Sequence, residues 1–381
     1  MFCYKKLILA LAAVILSLTN TSIAYAQEPV LSADAAVLMD SATGQVFFAK
    51  EPDKRRFPAS LTKIMTALVA LENGDPNDVV KISKKAASVS MGSVIDLRAG
   101  EEITLENLLK AALVCSANDS TVAIAEHVGG NVENFLVMMN ARALSAGAVN
   151  TNYANTNGYT LPNHYTTAYD LALIARQALR NKQFNRLISI KETTLNWEGN
   201  KNRTLEIRNT NRLLREGFPG IDGVKTGSTP RAGDCLIASA SRNGRRLIAV
   251  VLHSNNRYTD AANILNYGFK EIKSYQVFKK GEQVVSVPVM EGVLKEVPLI
   301  TQSGLQIDIT DDKISLLRKK FLFKNSVMAP VKSGQVLGEI ICSLENREVG
   351  RISLVAGDDI ERKSWLRRKW EKLSVSSGIN N

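Results

Sequence analysis

Metal-binding patterns are missing from this 381-residue chain. Its three histidines, His127, His164 and His253, stand far apart, with no H-E-x-x-H and no C-x-x-C among them. A metal-centred chemistry is therefore not expected, and no other cofactor motif is present. Cysteine is scarce too. Beyond Cys3 in the basic N-terminal start there are only Cys115, Cys235 and Cys342. An odd, scattered set is no disulfide framework, so these three are expected as free thiols. No internal repeat is evident. Long apolar runs are also lacking. The longest, "LILALAAVILSLT", is too short to span a bilayer comfortably. It follows the basic start "MFCYKK" and precedes small residues at Ala24 and Ala26, around Tyr25. That order is expected of a secretory signal peptide over residues 1–26, which puts the rest of the chain outside the cytoplasm.

What is abundant is positive charge, +11 net. In an exported protein the excess points to anionic lipid or anionic wall polymer and not to nucleic acid. Part of it is concentrated in the tail "IERKSWLRRKWEKLSV". On a helical wheel Trp365, Leu366, Trp370 and Leu373 share a face, rimmed by Arg362, Lys363, Arg367, Arg368, Lys369 and Lys372. Tryptophans with a basic rim are expected of a helix lying in a membrane interface, although Arg362 and Lys369 intrude on the apolar side.

The length suits two domains. "AAVLMDSATGQVFFAK" carries two apolar runs around a Gly-bearing turn, a hairpin signal. A helix follows, with Pro58 before it, Ser60 placed to cap it and "NGDP" ending it; Leu61, Ile64, Met65, Leu68, Val69 and Leu71 cover nearly all its faces, so it is predicted to be buried. More helical pattern runs through "TLENLLKAALVC", broken by "SANDS", and on to "AYDLALIARQAL". From Asp222 the period switches to strands: "DGVKTGS", "CLIASAS" and "RRLIAVVLHS", the last two joined by an Asn-Gly turn. The predicted fold class is α+β, one antiparallel sheet flanked by helices, over residues 28–272. Short alternating strands over 273–357 predict a second, small all-β domain, with the amphipathic tail at 358–381.

One residue is out of place in the buried helix. Lys63 is an amine in its first turn, three residues after Ser60. Residues at i and i+3 share a helix face, so the two can touch. Burial lowers a lysine pKa, and a neutral amine can take a hydroxyl proton. Two further patterns accompany this pair: Ser116-Ala117-Asn118 in the break between two helices, and Lys225-Thr226-Gly227 on a predicted strand. A glycine there permits close backbone approach, and an edge strand can pair with an extended peptide.

Ser60-Leu61-Thr62-Lys63, Ser116-Ala117-Asn118 and Lys225-Thr226-Gly227, in that order, resemble the motifs of the penicilloyl serine transferases, the penicillin-binding proteins and serine β-lactamases. The surrounding words "FPASLTKIMTALVALE", "LVCSANDSTVAIAEHVGG" and "GIDGVKTGSTPRAGDCLIASA" look like the low-molecular-mass D-alanyl-D-alanine carboxypeptidases. The resemblance implies catalytic roles for Ser60, Lys63, Ser116 and Asn118, substrate-binding roles for Lys225, Thr226, Gly227, Ser228 and Arg257, and β-lactams as inhibitors. The substrate would be a peptidoglycan stem peptide ending in D-Ala-D-Ala, met at the outer face of the membrane or in the wall. The amide N–H groups of Ser60 and Ser228 would form the oxyanion hole. Familiar members often carry histidine or an aromatic residue where this chain has Ser228. The same acyl-serine chemistry serves β-lactamases and transpeptidases, and a non-catalytic wall-binding module would keep the fold alone. Two short words are read as coincidences. "ETTLN" at Glu192 matches a deacylating-glutamate motif but is predicted as strand, and "YAN" at Tyr153 is predicted as loop. His164 and Asp170 are read as structural, and Cys115 as a small buried side chain.

Overall fold

The structure, a computed structural model, describes residues 28–344 and 346–367. The signal-peptide expectation over 1–26, and Arg368, Lys369, Trp370, Lys372 and Leu373 of the tail, lie outside the described residues. Two compact units are present, one over Glu28–Lys270 and one from Glu271 onward.

The first unit is built on a five-stranded antiparallel sheet. Its strands are β1 (Ala35–Asp40), β2 (Val46–Lys50), β7 (Ile221–Thr229), β8 (Gly233–Arg242) and β9 (Arg245–Ser254), in the order β2-β1-β9-β8-β7. Two short antiparallel pairs lie between them in sequence, β3 (Val79–Lys81) with β4 (Glu102–Thr104) and β5 (Glu192–Trp197) with β6 (Asn200–Arg208). All six residues of β1 are buried, because the sheet is covered on both faces. Strand alternation divides its side chains. Val37 and Met39 join a core that includes Ile64, Leu68, Leu171 and Ile174. Leu38 turns the other way, toward the helix Arg257–Glu271. Gly268 brings that helix so close that a Cβ there would stand 2.6 Å from both Leu38 and Leu247. The sequence-predicted fold class of the main domain is therefore the observed one.

The buried helix begins differently from its sequence-based expectation. A 3₁₀ turn spans Ala59–Thr62 and the α-helix proper runs Lys63–Asn73. Ser60 thus sits inside the first turn and is not the cap. Thr62 steadies this entry: its hydroxyl donates to Ala59 O at 2.9 Å and lies 2.8 Å from His164 Nε2. His164 Nδ1 accepts from the Ala154 N–H at 2.9 Å, so the hydrogen is on Nε2. Burial pushes His164 down to about 4 and keeps it neutral. Asp170 likewise accepts from Asn150 N and Thr151 Oγ1, both at 2.7 Å.

Asp260 ties the start of this unit to its last helix. The buried carboxylate accepts from Ser32 N (3.2 Å), Ser32 Oγ (2.8 Å), Ala33 N (2.9 Å) and Ser254 Oγ (2.7 Å). Asp260→Ala strands these donors and is expected to cost about 3 kcal/mol, a fall of about 8 °C in the melting temperature by calorimetry. A shift under about 2 °C would show that water replaces the carboxylate without loss.

The second unit holds β10 (Lys273–Phe278), β11 (Gln283–Met290), β12 (Glu296–Thr301), β13 (Leu305–Ile309), β14 (Arg318–Phe323), β15 (Val327–Met328), β16 (Val336–Leu344) and β17 (Arg347–Ala356). Six of them form one sheet in the order β14-β16-β17-β12-β11-β15, and β10 pairs with β13. Val297, Leu299, Ile340 and Leu354 are among its core residues. Ile360 also belongs to that core, so the packed chain runs past Gly357. Beyond it Trp365 and Leu366 are exposed. Among the described residues no helix is long and apolar enough to cross a membrane. Cys115, Cys235 and Cys342 are free thiols.

Candidate active site

Lys63 is fully buried, yet its Nζ has three oxygen neighbours: Ser60 Oγ at 2.9 Å, Asn118 Oδ1 at 2.7 Å and Asn157 O at 2.8 Å. A neutral amine has two N–H donors and one lone pair. The amide and carbonyl oxygens cannot donate, so they take the two hydrogens. The third direction, toward Ser60, is left for the lone pair to accept the serine hydroxyl proton. Burial holds Lys63 well below the usual lysine range, and the nearby Lys225 cation lowers it further.

The three motifs converge from separate elements. Helix Leu105–Lys110 continues as a π-helical turn over Ala111–Cys115. Ser116 then breaks the path in a left-handed conformation, φ 68°, and the next helix runs Asn118–Gly129. This break sets Ser116, which is 7% exposed, and Asn118 on the wall of the cleft. Asn118 is fixed on two further sides. Its side-chain amide donates to Met91 O and its backbone N–H to Ser93 O, both at 2.7 Å. Asp119, also buried, accepts from Ile95 N and Leu97 N and holds the same loop. Cys115 is half-buried beside Ser116, and burial pushes its thiol up.

Strand β7 is an end strand of the sheet and brings Lys225-Thr226-Gly227 to Ser60. Its glycine is required by contact. A Cβ at Gly227 would lie 2.9 Å from Ser60 N and 3.1 Å from Ala59 Cβ. Gly158 approaches the same peptide group, where a Cβ would fall 1.8 Å from Ala59 O. Two glycines thus approach the Ala59–Ser60 peptide closely, with Ala59 itself at φ 48°. Lys225 is buried and donates to Thr226 O at 3.1 Å; burial pushes it down to about 7. Thr226 Oγ1 lies 2.6 Å from Thr210 Oγ1.

Ser228 and Arg257 form one network at the end of β7. The Arg257 guanidinium donates to Gly227 O (3.0 Å) and Ser228 Oγ (2.7 Å), and lies 3.4 Å from Asp234. The Ser228 hydroxyl donates to Asp234 at 2.6 Å.

The cleft has a volume of about 460 Å³ and is lined by Ser60, Ser116, Asn118 and Ser228 together with three segments that the motif reading missed, Met91–Ser93, Asn157–Thr160 and Thr229–Arg231. The expected coincidences stay out of it. Glu192 is exposed on β5, 3.4 Å from Arg208. Tyr153 is buried against His164, ring centroids 5.8 Å apart, and burial raises its phenol.

A serine hydroxyl facing the lone pair of a desolvated lysine, beside a sheet edge able to take an extended chain, is the equipment of an acyl-serine enzyme of the penicillin-binding class. Sequence comparison is more specific. Residues 22–256 match the D-alanyl-D-alanine carboxypeptidase family, and the chain belongs to it. Residues 273–362 match the penicillin-binding protein 5 C-terminal domain. The chain is 32% identical over 378 residues to the D-alanyl-D-alanine carboxypeptidase DacF of Bacillus subtilis, covering 95% of this chain and 96% of the relative. Among solved structures, penicillin-binding protein 5 of Haemophilus influenzae is similar with a TM-score of 0.71 at 31% identity, over 88% of this chain and 99% of the other. DacD of Francisella tularensis is similar with a TM-score of 0.75 at 28% identity, over 91% and 98%.

Proposed function

We propose that the chain removes the terminal D-alanine from peptidoglycan stem peptides ending in D-Ala-D-Ala, and so limits the strands available for cross-linking. The observation that carries this reading is the 2.9 Å contact of Lys63 Nζ with Ser60 Oγ, with the other two amine directions taken by Asn118 and Asn157. Ser60 Oγ attacks the carbonyl carbon of the penultimate D-Ala while its proton passes to Lys63. The N–H groups of Ser60 and Ser228 stabilise the oxyanion, and one such donor is worth about 3 kcal/mol of barrier. The C–N bond then breaks, and the Ser116 hydroxyl relays a proton to the departing D-Ala nitrogen. Water hydrolyses the Ser60 ester and regenerates the hydroxyl. Lys225 and Thr226 meet the terminal carboxylate, with Arg257 behind them.

The Arg257 charge is shared with Asp234, so it supports this end of the cleft by holding Gly227 and Ser228 in place more than by presenting a free cation. A β-lactam offers the same carbonyl in a strained ring and acylates Ser60. The exposed position of Glu192 disfavours rapid deacylation by a class A route. The tail of Trp365, Leu366, Trp370, Leu373 and their basic neighbours holds the protein on the outer membrane face.

Purified protein is expected to release D-alanine from diacetyl-Lys-D-Ala-D-Ala, and to form a covalent adduct with fluorescent penicillin that maps to the Ser60 peptide by mass spectrometry. An adduct without release of D-alanine would shift the reading to a transpeptidase or β-lactamase. Absence of both would leave only a wall-binding role.

A further inference from the structure

The turn from β7 into β8 carries an arginine that the catalytic scheme does not use. Arg231 is exposed and lines the cleft with Tyr159 and Thr160. Its guanidinium lies over the Phe57 ring, 4.7 Å from the centroid. The turn beneath it is fixed. Ala232 N donates to Thr229 Oγ1 at 3.1 Å, and Thr229 Oγ1 lies 2.9 Å from Thr160 Oγ1. Other arginines around this unit have carboxylate partners: Arg56 with Asp34, Arg246 with Asp222 and Arg257 with Asp234. Among the described residues none pairs with Arg231. Stacking on Phe57 occupies one face of the guanidinium and leaves its in-plane N–H edges for a planar, bidentate acceptor.

The position of Arg231 along the strand says which part of a peptide it meets, given the carboxypeptidase reading on which this inference rests. Lys225 and Thr226 take the terminal carboxylate and the penultimate carbonyl lies at Ser60, beside Ser228. A peptide paired with the edge of β7 advances about 3.4 Å per residue. Its upstream residues therefore run past Thr229 toward the turn and Arg231.

We infer that Arg231 is a specificity-determining residue that favours stem peptides with a free carboxylate upstream of D-Ala-D-Ala. Two sources share this chemistry: a side-chain carboxylate on the residue immediately before the D-Ala-D-Ala pair, or a free carboxylate one residue further back. An amide in either place offers only one acceptor oxygen and no charge. The guanidinium is exposed, so the preference is moderate and weakens with added salt.

The test uses the full exported chain and two pairs of synthetic peptides. Each pair differs only by carboxylate against primary amide, at the first or at the second residue upstream of D-Ala-D-Ala. D-alanine release gives the acid-to-amide ratio of kcat/KM at each position. The wild type is expected to favour the acid by about fivefold at one of the two positions. In Arg231→Gln the ratio falls to about one, and in Arg231→Glu it inverts to favour the amide. The position that responds identifies the source. A ratio is read because general damage to the turn lowers both rates and leaves it unchanged. Wild-type ratios near one at both positions, or a preference untouched by both substitutions, overturn the assignment of Arg231 while leaving the carboxypeptidase reading in place. No D-alanine release from any of the four peptides by the wild type overturns both.

Discussion

Ser60→Ala is expected to lower D-alanine release by about 10⁴-fold or more, and Lys63→Met by about 10³-fold. The two losses have different origins and separable signatures. Without the hydroxyl no ester forms, so Ser60→Ala gives no penicillin adduct at any time. Methionine fills the volume of the lysine stem but offers no lone pair to the serine proton. Lys63→Met should therefore acylate slowly and to completion, which a time course of fluorescent penicillin labelling resolves.

On the proposed mechanism the same amine is expected to set the acid limb of the pH profile. Lys63 acts as base only when neutral, so kcat/KM rises with pH as it gives up its proton. Lys225 works in the opposite sense. Its pKa is pushed down to about 7, and loss of its charge above that pH weakens capture of the terminal carboxylate. The profile of kcat/KM is thus bell-shaped. Lys225→Gln removes a like charge that depresses Lys63, so the acid limb moves to higher pH while the alkaline limb disappears. A rate for Lys63→Met within about tenfold of the wild type, or an acid limb that stays in place in Lys225→Gln, would take the base role away from Lys63.

Gly158→Ala is expected to cost about 10²-fold in kcat/KM while leaving a folded protein. The residue adopts φ 93°, and its new methyl would meet the Ala59 carbonyl at 1.8 Å, a distance that forces the backbone to move. What moves is either the peptide group that carries the Ser60 N–H or the loop whose Asn157 carbonyl holds Lys63. Both outcomes misplace the reacting pair. Gly130→Ala is the matched control. Its φ of 73° imposes a similar backbone strain, but nothing lies within 4 Å of the added methyl, so stability falls by about 1 kcal/mol and activity stays. Circular dichroism and D-alanine release measured on both variants separate strain from collision. Full activity in Gly158→Ala would show that the close approach of Gly158 to Ala59 is not needed.

The reacting pair was legible in the sequence because its chemistry resides in side chains at a fixed helical spacing. A lysine among Leu61, Ile64, Met65 and Leu68 is anomalous in any buried helix, and Ser60 three residues earlier accounts for it. The sheet was legible in the same way, through the switch to alternating strands at Asp222. The two cleft walls at Met91–Ser93 and Asn157–Thr160 were not. They act through backbone oxygens: Met91 O and Ser93 O on Asn118, Asn157 O on Lys63. A carbonyl is offered by every residue type, so no composition or spacing marks it. Only the glycines beside them leave a trace, and a glycine in a loop signals a turn before it signals contact with a nucleophile. Ser60 resembles a cap in the sequence for a related reason. Pro58 and a serine fit a helix start equally well when the first turn is 3₁₀, and the difference lies in the Thr62–His164 contact, which joins residues far apart in sequence.

The position of β7 at the end of its sheet has a cost outside catalysis. An unfilled strand edge accepts any extended chain, including the same edge of another molecule. Here the exposed stretch is short. Ser228 and Thr229 lead directly into Pro230, which has no N–H to give, and Arg231, whose charge repels its own copy. The residues that close the substrate end of the cleft thereby also guard solubility, and a chain altered there to broaden its diet would need a new defence against self-association.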